Sequence, residues 1–271
     1  MIFSWNKSRS VQDETRTSDT FDRYVSSAPR LQNAVDALSG WSTGFPRDYE
    51  LKAGALATYQ DPRIQWVVDC CGSLEGRRVL ELGPLEGRHT AMLEAAGARI
   101  DAIEANRLAF MRCLITKEIV RLTRSKFWLG DFMKALESWD QSYDLIIACG
   151  VLYRLKDPLR LLELLARRSQ AIYIWTHVVT GLTMSGPRAA VFAPRAEIHH
   201  FHGIDVRAYR RIDDYVEDNA AYCHDTNDGQ RWLHHNDLIE ALKRLGFHNI
   251  QTNHDEPNHR FGPALSIFAQ K

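Results

Sequence analysis

Between residues 78 and 177 the chain repeats one alternation: a short apolar run, then a stretch whose apolar residues recur at helical spacing. "RVLEL", "RIDAIEA", "KFWLG", "YDLIIACG" and "AIYIWTH" are the apolar runs, and each predicts a strand. Between them, "HTAMLEAAG" predicts a helix ending at Gly97, and Asn106 caps a second with Phe110, Met111, Leu114, Ile115, Ile119 and Leu122 as its apolar stripe. "DPLRLLELLARRS" opens a third on Asp-Pro. The runs are continuously apolar rather than alternating, so each strand is covered on both faces, as in a parallel sheet. Repeated βα units with right-handed crossovers then give an α/β fold with a doubly wound, mostly parallel sheet. Near the C-terminus, "HNDLIEALKRLGF" predicts a helix capped by Asn236, with Leu238, Leu242 and Leu245 on one face and Gly246 as its stop. "HNIQTNHDEPNHRFGPALSIFAQK" predicts two strands joined by a loop, an antiparallel ending to the sheet.

The flanking segments follow a different pattern. Residues 1 to 20 are polar and aperiodic, an arm; a helical pattern runs from Phe21 to Leu38, and "GWSTGFPRDYE" is a loop before a helix that starts on Asp61 and Pro62. Residues 1–60 therefore form an N-terminal arm and helical lid, and 61–271 the main domain. Residues 180–230 interrupt the rhythm as an insertion on the substrate side, with loops, a short strand and a helix. Lys+Arg and Asp+Glu both number 34, so the formal charge is zero, which argues against a nucleic-acid partner. The five cysteines contain no CxxC pair, and the longest apolar runs are about half of a membrane span. The expectation is a soluble cytoplasmic protein in a reducing compartment. Its oligomeric state is open, a homodimer included.

The first strand runs into "VLELGPLEGRHT", a glycine turn opening a helix. A P-loop needs GxxxxGK[ST], and here Arg88 follows Gly87 at a spacing one residue short. A dinucleotide fold needs GxGxxG, and here Leu85 stands in place of a glycine, with Pro84 stiffening the turn. Glu81 and Glu86 would each repel a pyrophosphate, by a few kcal/mol at short range. A ligand with cationic sulfonium and ammonium groups meets no such penalty, and its one carboxylate suits a helix N-terminus. S-adenosylmethionine is such a ligand. Gly83 and Gly87 let the backbone approach it.

Glu104 ends the second strand, followed by Ala105, about 20 residues on, where an acid accepts hydrogen bonds from ribose hydroxyls. That supports a nucleoside without choosing the cofactor. Asp131 after the third strand is placed either to accept an adenine amino group, with Phe132 covering the ring, or to cap a helix. Together, "VLELGPLEGRHT", "AIEAN", "GDF" and "YDLIIACGVLYRLKDPLRLLELL" resemble the motifs of class I S-adenosylmethionine-dependent methyltransferases. "CGVLYRLKDPL" is similar to segments of small-molecule methyltransferases and of the tRNA wobble-uridine carboxymethyltransferase group. The resemblance covers residues 60–180 and the terminal helix and hairpin. It implies a seven-stranded sheet with an antiparallel last strand, cofactor contacts from Glu81, Gly83, Gly87, Glu104 and Asp131, and Cys149 and Gly150 beside the cofactor. Leu85 departs from the usual glycine, and Arg154 stands where histidine is common.

Methyl transfer needs positioning, and a base if the acceptor is a hydroxyl. His177, after the fifth strand, suits a base by its titration range, and equally suits a strand-end histidine satisfied by backbone. Tyr153 and Arg154 either contact substrate or cap and pack. Nine of the eleven histidines follow residue 198, His200 and His202 among them, near Glu197, Asp205, Asp213 and Asp214. No metal-binding spacing is present, so surface or substrate-lining roles are favoured over a metal. Trp41, Phe45, Tyr59, Tyr209, Tyr215 and Trp232 are candidates for an acceptor pocket or for core. The expected activity is methyl transfer to a small-molecule, sugar or metabolite acceptor at O or N. The alternatives are a tRNA-modifying enzyme with a cofactor of this type, a non-catalytic cofactor-binding regulator, and, least favoured, a nicotinamide dehydrogenase.

Overall fold

In a computed structural model, residues 24–56, 59–212 and 229–271 are described. The seven-stranded sheet consists of β1 (Arg78–Leu82), β2 (Arg99–Glu104), β3 (Ser125–Leu129), β4 (Tyr143–Cys149), β5 (Ser169–His177), β9 (Asn249–Glu256) and β10 (Ala264–Gln270), in the order β3-β2-β1-β4-β5-β10-β9. The β1–β5 pairings are parallel, and β10 runs antiparallel to both β5 and β9. The mostly parallel sheet with an antiparallel last strand is as the sequence predicts.

The apolar strands are wrapped on both sides. Alternate residues Ile146 and Ala148 of β4 face a layer containing Leu136 of α5 (Phe132–Ser138), Leu161 and Leu165 of α6 (Pro158–Arg168) and Leu238 and Leu242 of α8 (His235–Arg244). Leu145 and Ile147 face the opposite layer, with Ile64 and Val67 of α2 (Pro62–Cys71), Leu93 of α3 (Arg88–Ala95) and Cys113 of α4 (Arg107–Ile119). Burying each Leu or Ile contributes roughly 1.5–3 kcal/mol before conformational entropy is counted. The order reverses between β1 and β4, which opens a crevice at their carboxyl ends where sheets of this topology take ligands.

Three local expectations are corrected. Of the helix expected over Phe21–Leu38, the described part is helical only in α1 (Leu31–Asp36), because Pro29 biases the preceding residue away from the α region; the arm and Phe21 lie outside the described residues. On α4 the buried face is Ala109, Arg112, Cys113, Thr116 and Ile119, whereas Met111 and Leu114 of the expected stripe are about 40% exposed (42% and 38%). Asn106 does cap α4, accepting from the Ala109 N–H at 2.9 Å. Helix α8 begins after His234, not Asn236. Its first N–H groups are met by strand backbone instead of a side-chain cap, His234 N bonding to Arg207 O and His235 N to Val179 O.

The insertion holds a three-stranded antiparallel sheet: β6 (Glu197–Phe201), β7 (Ile204–Arg210) and β8 (Arg231–Leu233). His202 (φ 44°) and Gly203 (φ 81°) form a two-residue turn with both residues left-handed, the geometry that suits the twist of a tight hairpin. Short α7 (Gly181–Ser185) precedes it. Asp213, Asp214 and Tyr215 lie outside the described residues. Among the described residues, no helix is long and apolar enough to cross a membrane.

Candidate functional site

The glycine turn lies at the end of β1, beside the crevice. Gly83 (φ 67°) and Gly87 (φ 76°) are both left-handed; a Cβ on Gly83 would stand 3.1 Å from Val151, and one on Gly87 3.2 Å from the Phe127 ring. Leu85 is left-handed as well (φ 57°), a conformation that costs an L-residue roughly 1–2 kcal/mol. Two contacts hold it there. The Leu85 N–H donates to Glu104 Oε2 at 3.0 Å, and the Cys113 thiol donates to the Leu85 carbonyl at 3.5 Å. Pro84 is buried in the turn.

Glu104 thus ties the end of β2 to the loop after β1. Its other oxygen, Oε1, accepts from the Asn106 N–H at 2.8 Å, past exposed Ala105. Burial raises its pKa, and these backbone N–H groups work against that rise. The carboxylate's protein partners are backbone N–H groups, which leaves it acceptor capacity for a ligand hydroxyl.

The two glutamates of the loop have separate surroundings. Glu81 is 1% exposed and accepts a short hydrogen bond from the Thr90 hydroxyl. Burial pushes its pKa up from 4.5 to about 7, with Glu104 adding to the rise. Glu86 spends its charge on protein: its two oxygens accept from the Ser42 N–H (2.7 Å) and the Thr43 N–H (2.8 Å), and buried Arg112 lies 3.9 Å away. Arg112 in turn donates to the Ser39 carbonyl. The expectation that Glu86 selects a ligand by charge is therefore replaced by an anchoring one: it straps residues 39–43 onto the glycine loop.

A pH prediction follows from Glu81. Below pH 4.5 the carboxyl is neutral in folded and unfolded chains alike; between 4.5 and 7 the unfolded chain ionises it while the folded one keeps its proton. The stability of the wild type relative to Glu81→Gln is expected to fall by roughly 3 kcal/mol as pH rises from 4.5 to 7, and to level off above. Chemical denaturation of both proteins across that range measures it; parallel curves would refute the assignment. The difference is the quantity to follow, because His177 acts in the opposite sense.

His177 is 2% exposed, and burial lowers its pKa from 6.5 to about 4. Its Nδ1 lies 3.0 Å from the Gly262 carbonyl and 3.3 Å from that of Pro263, so the neutral ring donates from Nδ1. It stacks on Trp232 (4.8 Å, 10°) and meets Tyr153 edge-on at 4.6 Å. This is the backbone-satisfied alternative of the sequence reading, inside an aromatic cluster that also contains Trp175 and His259. Tyr153 and Arg154 brace the turn after β4: Arg154 Nε donates to the Gly150 carbonyl at 3.0 Å and its Nη2 to the Tyr153 hydroxyl at 2.8 Å. Gly150 (φ 82°) donates to the Trp175 carbonyl, and burial pushes the Cys149 thiol up to about 11, so it is protonated near neutral pH. Asp131 is exposed and caps α5, accepting from the Met133 N–H at 2.8 Å, while Phe132 is 8% exposed and packs in the core.

Sequence reasoning passed over one group. Asp61 caps α2 as expected, but its carboxylate also accepts from Arg63, Arg88 and His89 at 2.7–3.0 Å. Burial favours its neutral form, yet the His89 and Arg63 hydrogen bonds outweigh it and hold Asp61 well below the usual carboxylate range. The only signal in sequence was the basic residue at each of positions 63, 88 and 89. The described histidines of the insertion pair singly with acids, His200 with Asp205 and His202 with Glu163, and among the described residues no three candidate ligands converge on a metal site. Trp41 and Phe45 pack in a small cluster with Val35 and Ile119, joined by Tyr59; Trp232 and Tyr209 pack with Phe192.

No protein-family model matches the chain, and no curated protein matches it. Solved structures do. The N-terminal domain of EvdMO1, crystallised with S-adenosylhomocysteine (SAH) and D-fucose, has a TM-score of 0.66 at 22% identity, over 89% of this chain and 95% of that one. The chain spans 46% of full-length EvdMO1. Magnesium protoporphyrin IX methyltransferase from Synechocystis PCC 6803 has a TM-score of 0.51 at 17% identity, over 78% of this chain and 81% of that one. The 1,6-didemethyltoxoflavin-N1-methyltransferase of Burkholderia thailandensis has a TM-score of 0.51 at 15% identity, over 79% and 78%. The chain has the fold of class I S-adenosylmethionine-dependent methyltransferases.

Proposed function

We propose that this chain is an S-adenosylmethionine-dependent methyltransferase acting at oxygen or nitrogen of a small-molecule acceptor, with sugars the first class to test. One observation carries the reading. A buried carboxylate, Glu104, stands at the end of β2 with one oxygen on the glycine loop of β1, at the crevice where the strand order reverses. The fold supports it, and the structural relatives named above include proteins crystallised with SAH, one of them also with D-fucose.

When bound, the cofactor supplies a methyl group on a cationic sulfonium. The chain's residues bind and orient. Glu104 offers its remaining lone pairs to the ribose hydroxyls, and the left-handed turn at Gly83, Leu85 and Gly87 brings backbone close to the amino-acid end. Glu81 places a buried acidic group under the same loop, disfavouring a pyrophosphate there. Asp131 keeps an oxygen beyond its capping bond for an adenine amino group. Tyr153 and Arg154 brace the turn at Gly150, and His177, bonded to the Gly262 carbonyl, is a weak base held neutral and enclosed. Of the segments expected to cover the crevice and select the acceptor, residues 24–56 and 180–212 lie among those described.

Calorimetry with S-adenosylmethionine, SAH and NAD tests the reading. Binding of the first two and not of NAD is expected, followed by transfer of labelled methyl to a hydroxylated small molecule. Failure to bind either of the first two defeats it.

A further inference from the structure

Glu81 is enclosed at the carboxyl end of β1, two residues before Gly83, and is 1% exposed. Its Oε2 accepts from the Thr90 hydroxyl of α3, and its Oε1 has no hydrogen-bond partner among the described residues. A half-bonded carboxyl so deep in a fold is costly in its ionised form.

Charged and titratable groups reach it from four elements. Glu104 of β2 favours the neutral form, and Arg88 of α3 favours the ionised form without an ion pair to Glu81 among the described residues. The thiols of Cys113 on α4 and Cys149 on β4 both feel the Glu81 charge, and burial keeps both protonated near neutral pH. None of these neighbours neutralises the carboxylate, so burial dominates and Glu81 titrates near pH 7. Strands β1 and β4 flank the crevice, and Glu81 and Cys149 lie toward their carboxyl ends. A charge bound in the crevice therefore acts on Glu81 through little water.

The cofactor and its demethylated product differ by one charge, a cationic sulfonium against a neutral thioether. Their amino-acid ends are the same, so a difference in how the protein responds to them reports the sulfonium alone. A nearby positive charge favours an ionised carboxyl.

We infer that Glu81 sets the preference between cofactor and spent product: it gives its proton to solvent when the sulfonium form binds and takes one back once a neutral thioether remains, which loosens the product. The inference rests on the cofactor reading above. It asks for no contact between Glu81 and the reacting atoms, only for a carboxyl poised between two protonation states. In acid Glu81 stays neutral whichever ligand is bound, so the preference for S-adenosylmethionine over SAH is small there. It is expected to grow by about 3- to 10-fold as pH rises toward 7, and to level off above.

Calorimetry in buffers of different protonation enthalpy counts the protons released on binding. At about pH 6.5 the α-amines of both ligands remain charged, so they add nothing to the difference. Wild-type protein is expected to release about half a proton more with S-adenosylmethionine than with SAH. Glu81→Gln is expected to lose that difference and to bind the two ligands in a ratio that no longer changes with pH; its binding of SAH reports that it is folded. Equal proton release with the two ligands on the wild type overturns the inference, leaves the cofactor reading intact and needs no variant. A difference that persists in Glu81→Gln belongs to another group and overturns it as well. Wild-type protein that binds neither ligand defeats both readings.

Discussion

Replacing Glu86 with alanine is expected to cost about 3–5 kcal/mol of unfolding free energy, a large share of the 5–15 kcal/mol of an ordinary domain. Glu86 accepts two backbone N–H groups, from Ser42 and Thr43, and lies 3.9 Å from buried Arg112. Its side chain and that of Arg112 are 2% and 3% exposed, so water cannot readily replace what is removed. Arg112 Nε and Nη1 already lack hydrogen-bond partners, and among the described residues Glu86 is the acid that Arg112 pairs with. Urea unfolding gives the total loss. Hydrogen exchange locates it, with the Ser42 and Thr43 amides expected to lose protection first. Glutamine, with one acceptor oxygen, should fall between the two. A variant with unchanged stability and unchanged exchange at residues 42 and 43 would contradict the anchoring role.

Glu104→Ala should remove most of the affinity for SAH. The direct part is the loss of hydrogen bonds to the ribose, roughly 1–3 kcal/mol when such bonds are buried. A second part comes from the loop itself. Without Oε2 the Leu85 N–H has no acceptor, and a left-handed leucine loses one of the two contacts that offset its strain. A combined drop of about 100-fold or more is expected by calorimetry, with a lowered melting temperature in the unliganded protein. An affinity within a factor of two of wild type would remove Glu104 from the site.

Much of this architecture was legible because parallel strands buried on both faces write themselves as continuous apolar runs. Asp-Pro and Asn starts likewise declare α2, α4 and α6. The failures have local causes. The α4 stripe was misread because Arg112 and Thr116 face inward, Arg112 toward the Ser39 carbonyl and Glu86, and no periodicity of apolar residues announces a buried arginine. The sheet of the insertion was missed because its turn is His-Gly instead of the more familiar Asn-Gly. The positions of Glu81, Glu86 and Glu104 in the loop region were evident, but not where each side chain would point. Whether a carboxylate meets a ligand, a threonine hydroxyl or a strap of distant backbone depends on long-range packing, here across 44 residues for Ser42 and Glu86.

The strap at residues 39–43 and the turn between Gly83 and Gly87 share Glu86 as a common joint, and that makes them a linked pair. Any ligand that stiffens the turn must, by reciprocity, tighten the strap, and loss of the strap must weaken the ligand by the same free energy. Limited proteolysis in the N-terminal region then becomes a readout of occupancy in the crevice. The same linkage sets a rule for truncation: a fragment starting at Asp61 retains every strand of the sheet, yet lacks the backbone that holds its glycine loop in register.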